Sequence, residues 1–355
     1  MKIMLIGPYP PPYGGVSVHI QRLKYYLEKN GHRCFVCNFS DTKDALKNDV
    51  ISLTSVKKIW KKKGNLFRET SKINPDIIHI HHCGSGFFKE MKPIFFWYFM
   101  KKRIFITFHG GSLPTYIAGS TKKDLLGLGL ILRMAETIVC VNDEQVGALV
   151  KNFGNGVKKK IRTITPFLPP IPQDSNKQPM LPAAKNFYVR KDQTLTVIGA
   201  WQRYHRFEYL IHAFSMLHKD EPAIGLVILA SSGGDQNYRK EILSLIRVQK
   251  LEKDILILED VGDVTIYLRK ASVFIRTSAI DSYSISVAEA IWLGIPVIAN
   301  GKAKRPFNVI AYRDGSIESL HEKLLEVIRT RIGPSNYNER HTLMLNAMLP
   351  LKIYK

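Results

Sequence analysis

Residues 194–214 read TLTVIGAWQRYHRFEYLIHAF. An apolar, β-branched run ends at Gly199, and helical spacing returns with Phe207, Leu210, Ile211 and Phe214. A continuous apolar run of this kind marks a strand buried on both faces, as in a parallel sheet. The turn between strand and helix crowds Trp201, Arg203, Tyr204, His205 and Arg206 together. Cations and flat rings there suit a phosphate-bearing ligand, and a partly buried basic helix start accounts for the same residues. The unit recurs downstream, with apolar runs at GLVILAS (225–231), DILILED (254–260), ASVFIRTS (271–278) and PVIAN (296–300). Helical patterns over 206–218, 238–249, 286–294 and 317–331 separate or follow them. Upstream, a second series runs through KIMLIG (2–7), RCFVCNF (33–39), DIIHIHH (76–82), RIFITFHGG (103–111), TIVCV (137–141) and IRTITPF (161–167).

Strand–helix alternation of this kind predicts doubly wound parallel sheets, and two series predict two domains. The segment PFLPPIPQDSNKQPMLPAAK (166–185) carries six prolines, too many for a helix or central strand, and reads as the connection. The expected division is an N-terminal domain over 1–170, a linker over 171–190 and a C-terminal domain over 191–335. Residues 336–355 form a last segment that reads as a closing helix with Pro350 against its end. Two such sheets facing across a cleft place ligands at the carboxyl ends of their strands.

The 355 residues are 45% hydrophobic, which excludes a disordered chain. No apolar run reaches the ~18–20 residues of a membrane span; PIFFWYFM (93–100) stops at Lys101, Lys102 and Arg103. MKIMLIGPYPPP is too short before its prolines for a signal peptide, so a cytoplasmic protein is expected. Cys34 and Cys37 have zinc-like spacing without a second pair, and with Cys83 and Cys140 they read as reduced thiols. Net charge is +22 and lies mostly in residues 1–185. Basic stretches next to large aromatics, KKIWKKK (57–63) and residues 93–103, predict an anionic membrane surface as partner. No helix-turn-helix, RNP or zinc pattern accompanies the basicity, so nucleic acid is not expected.

The motif richest in chemistry is DSYSISVAEAIWLGIPVIA (281–299). A helix beginning near Ser284, Ile285 and Ser286 offers backbone N–H groups and its positive end to a diphosphate. Glu289, one turn in, is placed for ribose hydroxyls, and Asp281, ahead of the turn, for sugar hydroxyls. The structural alternative is a serine cap and a first-turn charge. In PYPPPYGGVSVHI (8–20), Gly14 and Gly15 open a helix and admit a ligand close to the backbone. His109 ends a strand and precedes Gly110 and Gly111, where ligand residues come from. His79 and His81 alternate onto one face as packing residues, and His82 has no assigned role. These histidines lack a carboxylate or an H-x-x-x-H helix, so no metal is expected. At the opening turn Gly199, Arg203, His205 and Arg206 are the candidate phosphate contacts.

Together these motifs resemble the family-four retaining glycosyltransferases (glycosyl transferases group 1) over roughly residues 1–331. The resemblance implies the GT-B fold, two Rossmann-like domains, the first binding acceptor and the second a nucleotide sugar. It rests on Asp281, Glu289, Gly294, Pro296 and Val297, then on Gly14–Gly15, His109 and the turn after Gly199. His109, Asp281 and Glu289 are its implied catalytic set. Where the family has glutamate this chain has Asp281, and Ser282 and Ser284 stand in place of glycines. Ala200, His205 and Arg206 replace the family's arginine, lysine and glycine; a subset of the family has an aromatic-His-Gly version. The implied reaction is sugar transfer with retention, without cofactor or metal, from a nucleotide-diphosphate sugar, UDP-linked by preference. A lipid-linked saccharide acceptor on the inner face of the plasma membrane, in bacterial surface polysaccharide assembly, completes the expectation. The alternatives are a catalytically degenerate binding or partner subunit, and a nucleotide-sugar epimerase.

Overall fold

The computed structural model describes residues 1–11, 13–38, 50–52, 63–84, 87, 91–172, 179–281, 283–301, 309–330 and 349–354. Most of the basic stretch at 57–63, residues 173–178 of the proline-rich segment, Ser282 and positions 338–348 lie outside them. The chain divides into two compact units, Met1–Leu168 with Ala347–Lys355, and Pro169–Asn346.

The first unit runs β1 (Lys2–Gly7), α1 (Gly15–Lys29), β2 (Arg33–Asn38), β3 (Val50–Ser52), α2 (Lys63–Ile73), β4 (Ile77–His82) and α3 (Ile94–Phe99). It continues through β5 (Arg103–Phe108), α4 (Leu113–Ala118), α5 (Lys122–Met134), β6 (Thr137–Cys140), α6 (Asp143–Lys158) and β7 (Ile161–Thr163). Its seven strands lie in the order β3-β2-β1-β4-β5-β6-β7, all parallel. Alternate residues serve opposite faces, the period-two consequence of the pleat. Met4, Ile6, Ile78 and Ile80 pack into one cluster, Ile3, Leu5, Ile77 and Phe105 into another. Cys34 and Cys37 fall on opposite faces by the same rule, both buried and neither in a disulfide, and burial pushes the Cys37 thiol up.

The second unit runs α7 (Pro182–Val189), β8 (Gln193–Trp201), α8 (Phe207–Asp220), β9 (Ile224–Gly234), α9 (Gln236–Val248), β10 (Ile255–Glu259) and α10 (Thr265–Leu268). Then come β11 (Val273–Arg276), α11 (Ile285–Trp292), β12 (Val297–Asn300), β13 (Ile310–Tyr312) and α12 (Ile317–Thr330). The sheet order is β10-β9-β8-β11-β12-β13, again parallel. A last short helix, α13 (Leu349–Lys352), belongs to the first unit, with Pro350 in its opening turn, where proline costs no hydrogen bond. Both sheets are doubly wound and Rossmann-like. Each reverses strand order once, between β1 and β4 and between β8 and β11, and the carboxyl ends there are the ligand positions of this architecture.

Two expectations fail locally. The proline-rich segment contains a helix after all, since Pro182 occupies its first turn and Ala184 and Phe187 pack on Val227 and Leu229. The last strand of the first unit ends at Thr163, short of the expected 167.

Candidate functional site

The second unit's switch point is built from the turn after β8 and the loop after β11. A register shift between Ala200 and Trp201 bends the strand end, and Arg203–His205 form one 3-10 turn. Arg206, at φ 52, adopts the left-handed conformation before α8 begins. The cations of this turn are engaged by carboxylates. Arg203 Nη2 donates to Glu241 at 2.6 Å and its guanidinium lies 5.4 Å over the Tyr238 ring. Arg206 Nη1 donates to Asp314 at 2.5 Å and its guanidinium lies 5.2 Å over Tyr209. Trp201 is buried, its Nε1 donating to Glu259 at 2.6 Å, while Arg239 holds that carboxyl below its usual range.

His205 instead turns into the site wall. Its Nδ1 bonds the Ser278 hydroxyl at 2.8 Å, and its carbonyl accepts from Thr277 Oγ1 at 2.6 Å. Burial, helped by Arg276, pushes its pKa down to about 3, so the ring is neutral. Gly199 is what admits that ring. A Cβ there would lie 2.8 Å from Phe207 Cζ and 3.1 Å from His205 Cγ.

Asp281 is buried in a fork with Arg276. Arg276 Nε and Nη2 donate to its two oxygens, both at 3.1 Å, and Nη1 donates to the Ile198 carbonyl at 3.0 Å. The guanidinium thus ties β8, β11 and the acidic turn together at the ligand end of the sheet. Arg276 is the functional candidate missed in the sequence, and its signal is visible in FIRTS, a cation closing an otherwise apolar strand. Ser284 caps α11 at φ 58, a left-handed conformation that costs a serine of the order of 1 kcal/mol or more. The Ser284 side chain makes no capping hydrogen bond; its Oγ instead lies 3.3 Å from Ser286 Oγ, with Ile285 between them. Glu289, at 3% exposure, is buried on the same helix. The structure therefore brings Gly199, His205, Asp281 and the Ser284–Ser286 turn to one switch point, with Arg276 joining Asp281 to the Ile198 carbonyl, and engages Arg203 and Arg206 with Glu241 and Asp314.

In the first unit Gly14 caps α1. Its N–H donates to Ser17 Oγ at 2.8 Å and that hydroxyl donates back to the Gly14 carbonyl at 3.0 Å. A Cβ at Gly14 would meet nothing closer than 3.9 Å. Beside Gly14 and Gly15, α1 carries His19 toward β4 and β5. His109 follows β5, and its Nε2 lies 3.0 Å from His81 Nδ1, with the two rings stacked at 5.2 Å. The His19 ring stands edge-on to His109 at 4.8 Å, and its Nδ1 bonds the Pro166 carbonyl at 2.6 Å. Burial pushes His19 down to about 4 and His81 and His109 well below the usual range. One ring nitrogen from each of His19, His81 and His109 lies within 4.8 Å of the others, a spacing that a metal ion could bridge. The expectation of no metal weighed the strand histidines alone; His19 comes from a helix sixty residues away in the chain. His79 is structural, bonded to Thr107 Oγ1 at 2.7 Å and to the Tyr354 hydroxyl. His82 Nδ1 accepts from the Gly84 N–H at 2.8 Å.

Residues 13–170 match the family described as Glycosyltransferase Family 4, and residues 183–340 match Glycosyl transferases group 1. An uncharacterized glycosyltransferase of Haemophilus influenzae is 24% identical over 109 residues, 31% of this chain and 30% of that protein's length. A HepE protein of Anabaena crystallised with UDP superposes with a TM-score of 0.73 at 14% identity, covering 100% of this chain and 99% of that one. Sucrose-phosphate synthase of Thermosynechococcus elongatus gives 0.71 at 15% identity over 99% and 98% of the two chains. At such identities the structural likeness shows the fold, which is GT-B.

Proposed function

We propose that this chain, which matches Glycosyltransferase Family 4 over 13–170 and Glycosyl transferases group 1 over 183–340, is a retaining transferase that uses a nucleotide-diphosphate sugar. Crystals of the Anabaena neighbour hold UDP, which supports a UDP-sugar as donor. The observation that carries the reading is the second unit's switch point, where Arg276 forks onto Asp281 just ahead of α11, the helix that carries buried Glu289. The helix end and the guanidinium hold the diphosphate as it leaves with the bonding electrons of the anomeric carbon, with no metal on the phosphates. Glu289 holds ribose hydroxyls, Asp281 holds the sugar, and neutral His205 offers Nε2, which has no partner among the described residues. Arg276 takes the place of the cations that the family has at positions 200 and 205. Gly14, Gly15 and His109 lie at the ligand end of the first sheet, in the unit assigned to the acceptor. The acceptor is a lipid-linked saccharide in surface polysaccharide assembly, and the protein works peripherally on the inner membrane face.

The test is donor binding and turnover. Glu289→Ala weakens UDP binding, while Asp281→Ala impairs transfer more than binding, as read by thermal shift and by the anomeric configuration of the product. Wild-type kinetics in both variants would remove the site from consideration. A second reading, a degenerate binding subunit, is favoured by one observation, the Asp281 carboxylate already forked by Arg276. Saturable UDP binding without turnover of any UDP- or GDP-sugar would establish it. Interconversion of sugar epimers with no acceptor present would identify an epimerase.

A further inference from the structure

We propose that His19, His81 and His109 form a binding site for a divalent transition metal of borderline softness, zinc by preference, at the switch point of the first unit. The inference goes beyond the transfer reading and does not depend on it. The three side chains come from α1, the end of β4 and the residue after β5, and each is at least nine-tenths buried, at 4%, 1% and 9% exposure. Imidazole is a ligand that suits zinc, copper and nickel, and three histidines with an open fourth position are an established zinc arrangement.

The hydrogen bonds already sort the nitrogens. His19 Nδ1 lies 2.6 Å from the Pro166 carbonyl, an acceptor only, so Nδ1 carries the proton and Nε2 the lone pair. A ligating histidine is oriented in this way, its second nitrogen donating to a carbonyl. His81 Nδ1 and His109 Nε2 face each other at 3.0 Å. His81 Nε2 is fully buried with no partner among the described residues, an orphan that costs about 1–3 kcal/mol. Tetrahedral zinc at ~2.0–2.1 Å spaces its nitrogens about 3.4 Å apart. The widest separation here is 4.8 Å, so binding draws the rings together by about 1.4 Å. Among the described residues no carboxylate joins the cluster, which leaves the fourth position to water or hydroxide.

The experiment uses the full chain, stripped with a chelator and dialysed against zinc, with bound metal counted per chain. One equivalent is expected, retained through gel filtration. His19→Asn lowers the affinity ~100-fold or more, whereas His212→Asn on α8 leaves it unchanged. Cobalt loaded in place of zinc gives the intense visible bands of a four-coordinate, nitrogen-ligated ion in the wild type, a readout that needs no variant to fold. A ratio near zero, an affinity unmoved in folded His19→Asn, or only the weak bands of six-coordinate cobalt would each overturn the proposal. UDP binding and transfer are measured separately, so loss of the metal site and loss of the transfer reading are told apart.

Discussion

Arg276 changes what the turn after β8 is for. The cations crowded into 203–206 looked like the phosphate clamp, yet Arg203 and Arg206 answer to Glu241 and Asp314. The guanidinium at the switch point comes from the neighbouring strand, and it too is paired, but with Asp281 inside the site. Arg276→Lys keeps the charge but loses the fork, and a charge-assisted hydrogen bond is worth roughly 1.5–3 kcal/mol. The expected outcome is a ~10–100-fold fall in kcat/KM for the donor, against a control of Arg203→Lys with near wild-type values. Asp281 and Glu289 were legible because their spacing sits inside a patterned helix start. Arg276 was legible only as an oddity, because what it pairs with depends on a loop conformation that spacing does not encode.

His205 carries a pH consequence at the same scale. Folded, its pKa is about 3; unfolded, it returns to the usual 6.5. Between those values the unfolded chain binds the extra proton, so stability is complete above pH 6.5 and falls as pH drops toward 3. The slope from this group approaches ~1.4 kcal/mol per pH unit inside that window. His205→Gln removes that slope, and urea midpoints at pH 7, 5.5 and 4.5 should show the variant losing less stability with acid than the wild type.

Elements were read best where burial leaves no choice. The longer apolar strands were visible, since a parallel strand covered on both faces must be apolar throughout, whereas the three-residue strands β3 and β13 were too short to stand out. Helix α7 was not, because the six prolines around it obscured a segment whose own proline sits harmlessly in the first turn. The cluster of three histidines was equally hidden, as β4, β5 and α1 meet only in the folded sheet. The ends of β4 and β5 are held close by Gly110, where a Cβ would stand 2.2 Å from the Cys83 carbonyl. Buried Gln145 fastens the same corner, donating to the Gly110 carbonyl at 2.7 Å. Gly110→Ala must push these loops apart, at a cost of ~1–3 kcal/mol. A drop of several degrees in the first unit's melting temperature is expected, whereas Gly147→Ala, with nothing near its Cβ, leaves it in place.

At the scale of the molecule, charge and apolar exposure coincide on the first unit. Trp97 and Ile94 of α3 are core, but Tyr98 and Phe99 are exposed at 48% and 77% beside Lys101. On α5, which contacts α3, Leu126 at 67% and Leu130 at 39% are exposed on the helix that begins with Lys122 and Lys123. Half of the aromatic stretch thus serves the core and half the surface, a split that only the helix phase reveals. Phe99→Ser with Leu126→Ser should reduce binding to vesicles containing phosphatidylserine by ~10-fold or more without altering the melting temperature. Equal binding by the double variant would exclude this face.

The return of the chain into its first unit sets an order of assembly. Residues 347–355 leave the ribosome only after the whole second unit, yet the Tyr354 ring packs on Phe105 and its hydroxyl meets His79. The earlier-made half therefore waits for the later-made one to be finished. During synthesis all seven strands of the first unit are made by Thr163, but the segment that seals its sheet arrives only after the whole second unit. A chain cut off before Tyr354 would carry every strand of both sheets but leave the first unit unlatched.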